Sequence, residues 1–200
     1  MKDNRGQTLL EVMAAMFILV FGILSVVSLV VMMNKISSER TQEVIAANLA
    51  RESIEAVRAK RDSNWLAMEA GTSGVVWDTG LYGGASPSYD YTATINFSTT
   101  TNNWAYNWTP NVITNANCKI YKNSTTNFYT HTSTGGIVTP FTRLVYLYPV
   151  CSDGSEKTTG TCPLLTPKIG IHVTVQVQWT ERGKIHNKYV EEKLYDWKIK

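Results

Sequence analysis

The sequence predicts an α+β fold in which a long N-terminal helix, apolar in its first half and amphipathic in its second, packs on a mostly antiparallel β-sheet. Three observations lead to this prediction. Residues 12–33 are almost entirely apolar, residues 34–62 contain neither Gly nor Pro, and the chain beyond residue 71 is rich in Gly, Ser, Thr, Asn and aromatic residues. Continuous apolar runs and three-and-four spacing indicate helix, whereas alternation with period two indicates strands.

The apolar run Val12–Met33 is interrupted only by Gly22, Ser25 and Ser28. As a helix it is long enough to cross a hydrocarbon layer of roughly 30 Å. It also exceeds the apolar core of a secretory signal, and no small-x-small cleavage site follows it. We therefore expect this segment to remain in the mature protein as a membrane-spanning helix.

The charges on the two sides of this span are nearly balanced, with Lys2 and Arg5 before it and Lys35 and Arg40 after it. The distal part supplies a better indication of orientation, because it holds three cysteines and long Thr/Asn-rich stretches that suit an extracytoplasmic domain. We expect a single-pass protein of the cytoplasmic membrane with its N-terminus inside.

A carboxylate, Glu11, stands at the mouth of the apolar run, where membrane insertion disfavours it. One interpretation is that Glu11 lies at the headgroup boundary and needs no partner. However, the sequence before it has a distinct order: a short polar leader MKDNR, then Gly6, then Gln7, Thr8, Leu9 and Leu10. This arrangement resembles the class III leader of type IV prepilins and type II secretion pseudopilins, although Gln7 stands where that family most often has Phe.

The resemblance implies that a prepilin peptidase cuts between Gly6 and Gln7 and methylates the new N-terminus at Gln7. Glu11 then becomes the fifth residue of the mature chain and pairs with the terminal amine of a neighbouring subunit. A buried pair of this kind favours the correct helix register, because either ion left unpaired costs several kcal/mol. The expected partners are thus the peptidase, other pilin or pseudopilin subunits and, before assembly, the membrane.

The second half of the predicted helix is amphipathic. One face carries small and apolar residues: Ala46, Leu49, Ala50, Ser53, Ile54 and Val57. The opposite face carries mostly charged residues: Arg40, Asn48, Arg51, Glu55 and Arg58. We expect one helix from about Leu9 to Asp62, with Asp62-Ser63-Asn64 as its stop and Trp65 packed under its end.

The predicted organisation is therefore a leader at 1–6, an apolar assembly half at 7–33, an amphipathic half at 34–66 and a β-rich globular domain at 67–200. The phrase AANLARESIEAVRAKRDSNWLAM, and more weakly Leu194-Tyr-Asp-Trp197, resembles PilV-type minor pilins. This second resemblance implies a type IV pilin-like fold and a minor subunit.

Several strands follow from alternation of apolar and polar residues. The strongest is Ile169, Ile171, Val173, Val175, Val177 and Trp179, which turns through Thr180–Gly183 into a partner running from Lys184 to about Glu192. Tyr89, Tyr91, Ala93, Ile95 and Phe97 predict a second strand with one buried face. Arg143–Tyr148 predicts a third strand that ends at Pro149.

The stretch 98–135 is low in charge and rich in Asn, Thr and Trp. One hypothesis is a sugar- or surface-binding insertion in which Trp104, Tyr106 and Trp108 present their rings to a ligand. The simpler interpretation, which we favour, is that these alternate rings line the buried face of a strand.

The cysteines suit an oxidising compartment. Cys151 and Cys162 flank the polar loop SDGSEKTTGT and are the disulfide pair that we favour, although the sequence does not exclude a Cys118–Cys151 pair. No spacing predicts a metal site, and the three histidines are scattered, with His172 and His186 the one pair placed to meet across the terminal hairpin.

The net charge of +3 is small and dispersed, so no nucleic-acid partner is indicated. No nucleophile–base arrangement, phosphate loop or carboxylate pair is evident, and we predict neither enzymatic activity nor a cofactor. Three hypotheses remain: a processed minor pilin or pseudopilin, a pilus-borne adhesin that binds through 98–135, and an unprocessed membrane-anchored domain.

Overall fold

The computed structural model describes residues 5–85, 88–98, 101–108 and 112–197. The chain divides into two units, Met1–Glu43 and Val44–Lys200, which are described separately. In chain order the elements are α1 (Arg5–Glu69), β1 (Gly83–Ala85), β2 (Ser88–Asp90), β3 (Thr92–Ser98), β4 (Asn103–Asn107), a short 3-10 helix (Ala116–Cys118), β5 (Lys119–Asn123), β6 (Tyr129–Thr130), β7 (Gly136–Cys151), β8 (Lys168–Glu181) and β9 (Lys184–Tyr195).

Helix α1 continues beyond the predicted stop at Asp62 and ends at Glu69. The polar residues that suggested a stop serve other purposes, because the Ser63 hydroxyl donates to the Ala59 carbonyl at 2.7 Å within the helix. The true end is a Schellman motif: Thr72 N–H donates to the Ala67 carbonyl, and Gly71 adopts φ +77°.

The second half of α1 presents its apolar face to the sheet, as predicted. All six residues of the predicted face are buried: Ala46, Leu49, Ala50, Ser53, Ile54 and Val57. Full burial of a Leu, Ile or Val side chain stabilises a fold by about 1.5–3 kcal/mol. This face, together with the inward side chains of β3, β7 and β8, forms the hydrophobic core.

The main sheet has seven antiparallel strands centred on β7. One edge of β7 pairs along its length with β8, which pairs in turn with β9. Two strands pair with the other edge of β7. Strand β3 pairs with Tyr146 and Val145 of β7, and β5 pairs with the segment of β7 from Thr142 back to Gly136. The hairpin partners β4 and β6 pair with β3 and β5, and β1 and β2 form a separate two-stranded sheet.

The prediction for β8 is confirmed, since its inward residues are buried: Ile171, Val173, Val175, Val177 and Trp179. The hairpin to β9 has a two-residue loop, Arg182 and Gly183, with φ of 50° and 79°. Positive φ at both positions matches a type I′ turn, whose twist fits the two flanking strands. Strand β9 runs to Tyr195, three residues beyond the predicted end.

Strand β7 is longer than predicted at both ends, because it begins at Gly136 instead of Arg143 and passes through Pro149 to end at Cys151. The backbone N–H of Leu147 donates to the Tyr91 carbonyl, on the edge of β7 that faces β3. Backbone nitrogens two residues apart in a strand point to the same edge, so the Pro149 nitrogen also points there, at a position beyond the first residue of β3. No strand in the described part of the chain requires a donor at that point, and the Pro149 carbonyl accepts the Lys157 N–H at 3.1 Å.

Strand β3 follows its predicted alternation up to a point. Tyr91, Ala93 and Ile95 are buried, but Phe97 is 40% exposed; the side chain of Tyr89 lies outside the described residues. The rings of Trp104, Tyr106 and Trp108 pack against the core, as the simpler interpretation of 98–135 predicted. The observed architecture is the predicted α+β arrangement, a type IV pilin-like fold.

Candidate functional site

The predicted processing residues lie at the start of α1. The helix begins at Arg5, so Gly6 and Gln7 are in its first turn, and Glu11 follows Gln7 by four residues. Residues four apart share a helix face. The Glu11 side chain is exposed. The first four residues of the predicted leader lie outside the described residues.

The following segment of α1 exposes a continuous apolar surface. Every large apolar side chain from Leu9 to Met33 is at least 50% exposed. The helix is long and apolar enough to cross a membrane. A surface of this size is not stable against water, so lipid or neighbouring apolar helices must cover it.

Small residues interrupt this apolar surface and suit close helix packing. They are Ala14, Ala15, Gly22, Ser25 and Ser28. A Cβ placed on Gly22 would meet no atom within 4 Å, so the surface is open there. The Ser25 hydroxyl donates to the Phe21 carbonyl at 2.8 Å within the helix, so its donor is satisfied inside the helix.

A buried arginine, not identified from the sequence, ties the helix to the sheet. Arg143 on β7 is 1% exposed, and its guanidinium donates to the Leu49 carbonyl at 3.0 Å, to Glu52 at 3.1 Å and to the Ile95 carbonyl at 2.7 Å. Burial lowers the pKa of Arg143, and the Glu52 carboxylate opposes that shift. The sequence did indicate this burial, because Arg143 is two and four positions from Val145 and Leu147 in the same strand, and both of these residues are buried.

His131, just after β6, lies close to this arginine. Its Nδ1 is 3.1 Å from the Lys119 carbonyl, an acceptor, so Nδ1 carries the proton. Its Nε2 is buried without a hydrogen-bond partner in the described part of the chain. Burial, together with the positive charge of Arg143, lowers the pKa of His131 to about 3. The imidazole is therefore neutral at physiological pH.

A disulfide joins Cys151 to Cys162, one of the two pairings that the sequence left open. Cys118 is free and buried, and its thiol donates to the Val112 carbonyl at 3.4 Å. Burial raises the pKa of Cys118 to about 11, so this thiol is protonated and unreactive at neutral pH. The disulfide loop is held further by the Tyr91 hydroxyl, which donates to the Gly160 carbonyl.

His172 and His186, the one histidine pair that the sequence could bring together across the terminal hairpin, do not face each other. In the β8–β9 register His172 lies opposite Lys193, whereas His186 lies opposite Trp179 and stacks on its ring at 5.2 Å. His172 instead contacts Glu156 of the disulfide loop at 2.7 Å. The described residues contain no group of three or more His, Cys, Asp or Glu side chains placed to hold a metal ion.

A groove of about 720 Å³ opens between the β3–β4 and β5–β6 hairpins. Its aromatic lining comes from Phe97, Trp104, Phe128 and Tyr129, and its polar lining is mainly amides and hydroxyls, with the carboxylate of Glu52. All but one of these lining residues belong to the Asn/Thr/Trp-rich stretch or lie next to it. The rings and amides thus meet in space, although Tyr106 and Trp108 pack inward against the core.

Comparison with protein families identifies the N-terminal part of the chain. Residues 1–32 match the prokaryotic N-terminal methylation motif. This match supports a type IV pilin-like prepilin leader at the start of the chain. No curated protein and no solved structure matches the chain.

Proposed function

We propose that this chain is a minor pilin or pseudopilin that is cut between Gly6 and Gln7, methylated at Gln7 and incorporated into a type IV pilus-like or type II secretion fibre. The observation that carries the proposal is the methylation motif at residues 1–32, which is continuous with an exposed apolar helix. A leader removed by a dedicated peptidase and a helix that needs apolar neighbours are both required of a fibre subunit.

Glu11 is the assembly residue in this proposal. Cleavage leaves a positively charged amine on Gln7, and the Glu11 carboxylate of an adjacent subunit neutralises it among packed helices. Apolar helices have little hydrophobic reason to associate within lipid, so polar pairs and small residues decide how they pack. The pair also selects the register, because a shifted helix leaves both charges unpaired.

The cellular route follows from the same proposal. Residues 7–33 cross the cytoplasmic membrane with the N-terminus inside, while residues 34–66 carry the globular domain, 67–200, on the outer side. Prepilin peptidase removes residues 1–6, and the subunit then leaves the lipid for the fibre. The Cys151–Cys162 disulfide supports an oxidising, extracytoplasmic location for the globular part.

The first test is intact mass and N-terminal sequencing of the chain from membranes, with and without a co-expressed prepilin peptidase. We expect a mature chain that begins at N-methylated Gln7 only when the peptidase is present. A Gly6→Val variant provides the control, since it should remain uncut under both conditions. A wild-type chain that still begins at Met1 with active peptidase would show an unprocessed membrane anchor.

The second test separates assembly from processing. Glu11→Ala should be inserted and cut like the wild type but should enter fibres at least ten-fold less often in cells that carry the chain's own fibre system. Glu39→Ala, which removes a carboxylate beyond the apolar segment, is the matched control and should assemble normally. Normal incorporation of Glu11→Ala would refute the charge-pair account.

A second candidate function is a pilus-borne binding module, and the groove between the two hairpins favours it. The simplest way to remove part of the hypothetical binding stretch 98–135 is to delete residues 98–117, but this deletion is a poor test of binding. It would remove β4, whose Tyr106 hydroxyl donates to the Ala56 carbonyl of α1 at 3.0 Å. Single substitutions on the groove surface are needed instead.

A further inference from the structure

We propose that the groove between the β3–β4 and β5–β6 hairpins binds a neutral oligosaccharide. The proposal rests on the geometry and chemistry of the groove alone and goes beyond subunit assembly. The volume of about 720 Å³ lies within the range of roughly 300–1,000 Å³ typical of small-ligand sites.

The groove exists because two hairpins diverge from one edge of β7. Strand β3 pairs with β7 only at Thr92 and Ala93, and from Thr94 onward it pairs with β4 alone. Strand β5 takes over the same edge of β7 where Lys119 pairs with Thr142. The space between the two hairpins is therefore set by strand pairing, as expected for a preformed site.

Hydrogen bonds between the two hairpins involve residues that line the groove. The side-chain oxygen of Asn96 on β3, Oδ1, accepts the backbone N–H of His131 at 2.7 Å and the Thr130 hydroxyl at 3.3 Å. Both bonds use the oxygen, so the amide orientation is fixed and its remaining polar group is a donor. A rigid lining reduces the ordering cost of ligand binding.

Exposed aromatic rings provide the stacking surfaces. Phe128 is 62% exposed and Phe97 is 40% exposed, and the Phe97 ring meets Trp104 edge-on at 5.2 Å. Phe128 lies at the end of the β5–β6 loop, which is shaped by the Asn123 side chain accepting two backbone N–H groups at 2.9 Å. The C–H faces of a sugar ring pack on aromatic faces of this kind.

The polar lining selects for hydroxyl groups and against anions. The described lining contains three asparagines, five Ser or Thr hydroxyls and Glu52, and it contains no Lys, Arg or His. Amides and hydroxyls both donate and accept, which matches a polyhydroxyl ligand. Phosphate or nucleic acid requires cationic groups, and an apolar peptide helix would offer the amide N–H donors of the asparagines no acceptor.

The test uses the full chain in a detergent without a sugar headgroup. Maltotriose, cellotriose and tri-N-acetylchitotriose are the neutral probes, and sialyllactose is the anionic one. Binding is measured by saturation-transfer NMR and by titration of tryptophan fluorescence. We expect saturable binding of at least one neutral probe and weaker binding of sialyllactose.

Three variants locate the site. Phe128→Ala should weaken binding roughly ten-fold, and Phe128→Tyr should retain it, because the tyrosine keeps the ring. Tyr189→Ala is the matched control: this ring is 54% exposed on β9, away from the groove, and its loss should leave binding unchanged. Circular dichroism melts establish that Phe128→Ala is folded.

The proposal is overturned if no neutral probe binds, if Phe128→Ala binds as well as the wild type, or if sialyllactose binds most tightly. A change in self-association of Phe128→Ala by sedimentation velocity, without any sugar binding, would make the groove a contact between copies and would also overturn it. Because the test uses unassembled chain, its failure is distinct from a failure of processing or fibre assembly.

Discussion

The guanidinium of Arg143 on β7 donates to the backbone carbonyl of Ile95 on β3 at 2.7 Å, at the point where the two strands separate. Tyr91 and Ala93 direct their backbone groups at β7, so by alternation the Ile95 carbonyl faces the same way. The Arg143 side chain thus takes the place of a strand–strand hydrogen bond at the Ile95 carbonyl.

This relationship makes Arg143 essential for stability. We expect Arg143→Met to lower the free energy of unfolding by about 3–5 kcal/mol, because the Ile95 carbonyl loses the guanidinium donor, the Leu49 carbonyl loses one of its donors and Glu52 loses its ion pair. Urea unfolding of the full chain in detergent, followed by tryptophan fluorescence, measures the change.

Arg51→Met is the control for this substitution, since Arg51 lies on the exposed face of α1, the helix that the Arg143 side chain contacts. It should change the free energy of unfolding by no more than about 0.5 kcal/mol. Equal effects of the two variants would mean that the buried guanidinium contributes nothing beyond the loss of a surface charge.

Much of the fold was predictable because single-element patterns determine it. The buried face of α1 from Ala46 to Val57 and the alternation of β8 follow from local periodicity. The groove was not predictable, because it depends on β3 and β5 sharing one edge of β7. Long-range pairing of this kind leaves no periodic signal. Asn64 is a second case in which the local pattern misleads. It suggests a helix stop, but its side chain instead hydrogen-bonds to the Trp77 carbonyl in the loop that follows the helix.

Stability should depend on pH through His131. The ordinary pKa of 6.5 applies in the unfolded chain, whereas the folded value is about 3, so the unfolded state binds more protons between these values. The stability from neutral His131 is complete above pH 6.5 and is lost as the pH falls towards 3. The expected slope approaches about 1.4 kcal/mol per pH unit.

The measurement is urea unfolding at intervals from pH 6.5 to 5, above the range in which most carboxylates titrate. His131→Gln keeps a donor for the Lys119 carbonyl but does not titrate, so its stability should vary less with pH than that of the wild type. Parallel pH profiles for the two proteins would show that His131 is solvated in the folded state.

The disulfide should stabilise the sheet by restricting the unfolded chain. Cys151 and Cys162 are separated by 11 residues, and a loop of this length corresponds to about 2–3 kcal/mol on the chain-entropy account. Dithiothreitol should therefore lower the urea midpoint of the wild type. A Cys151→Ala, Cys162→Ala double variant should have the urea midpoint of the reduced wild type, and dithiothreitol should not change that midpoint. A change would mean that the reductant acts through Cys118 and not through this disulfide.

Asn64 anchors the loop after α1 to the helix, and its removal should loosen that loop. Asn64 is buried, and its amide nitrogen donates to the carbonyls of Trp77 at 3.0 Å and Thr79 at 2.8 Å. Asn64→Ala leaves both carbonyls without this donor, so we expect a loss of about 1–3 kcal/mol in the free energy of unfolding. Hydrogen exchange should rise in residues 72–82 and not in β8. Ser63→Ala, beside it on the exposed face, should alter neither quantity, and unchanged exchange in Asn64→Ala would show that the loop is held by its other contacts.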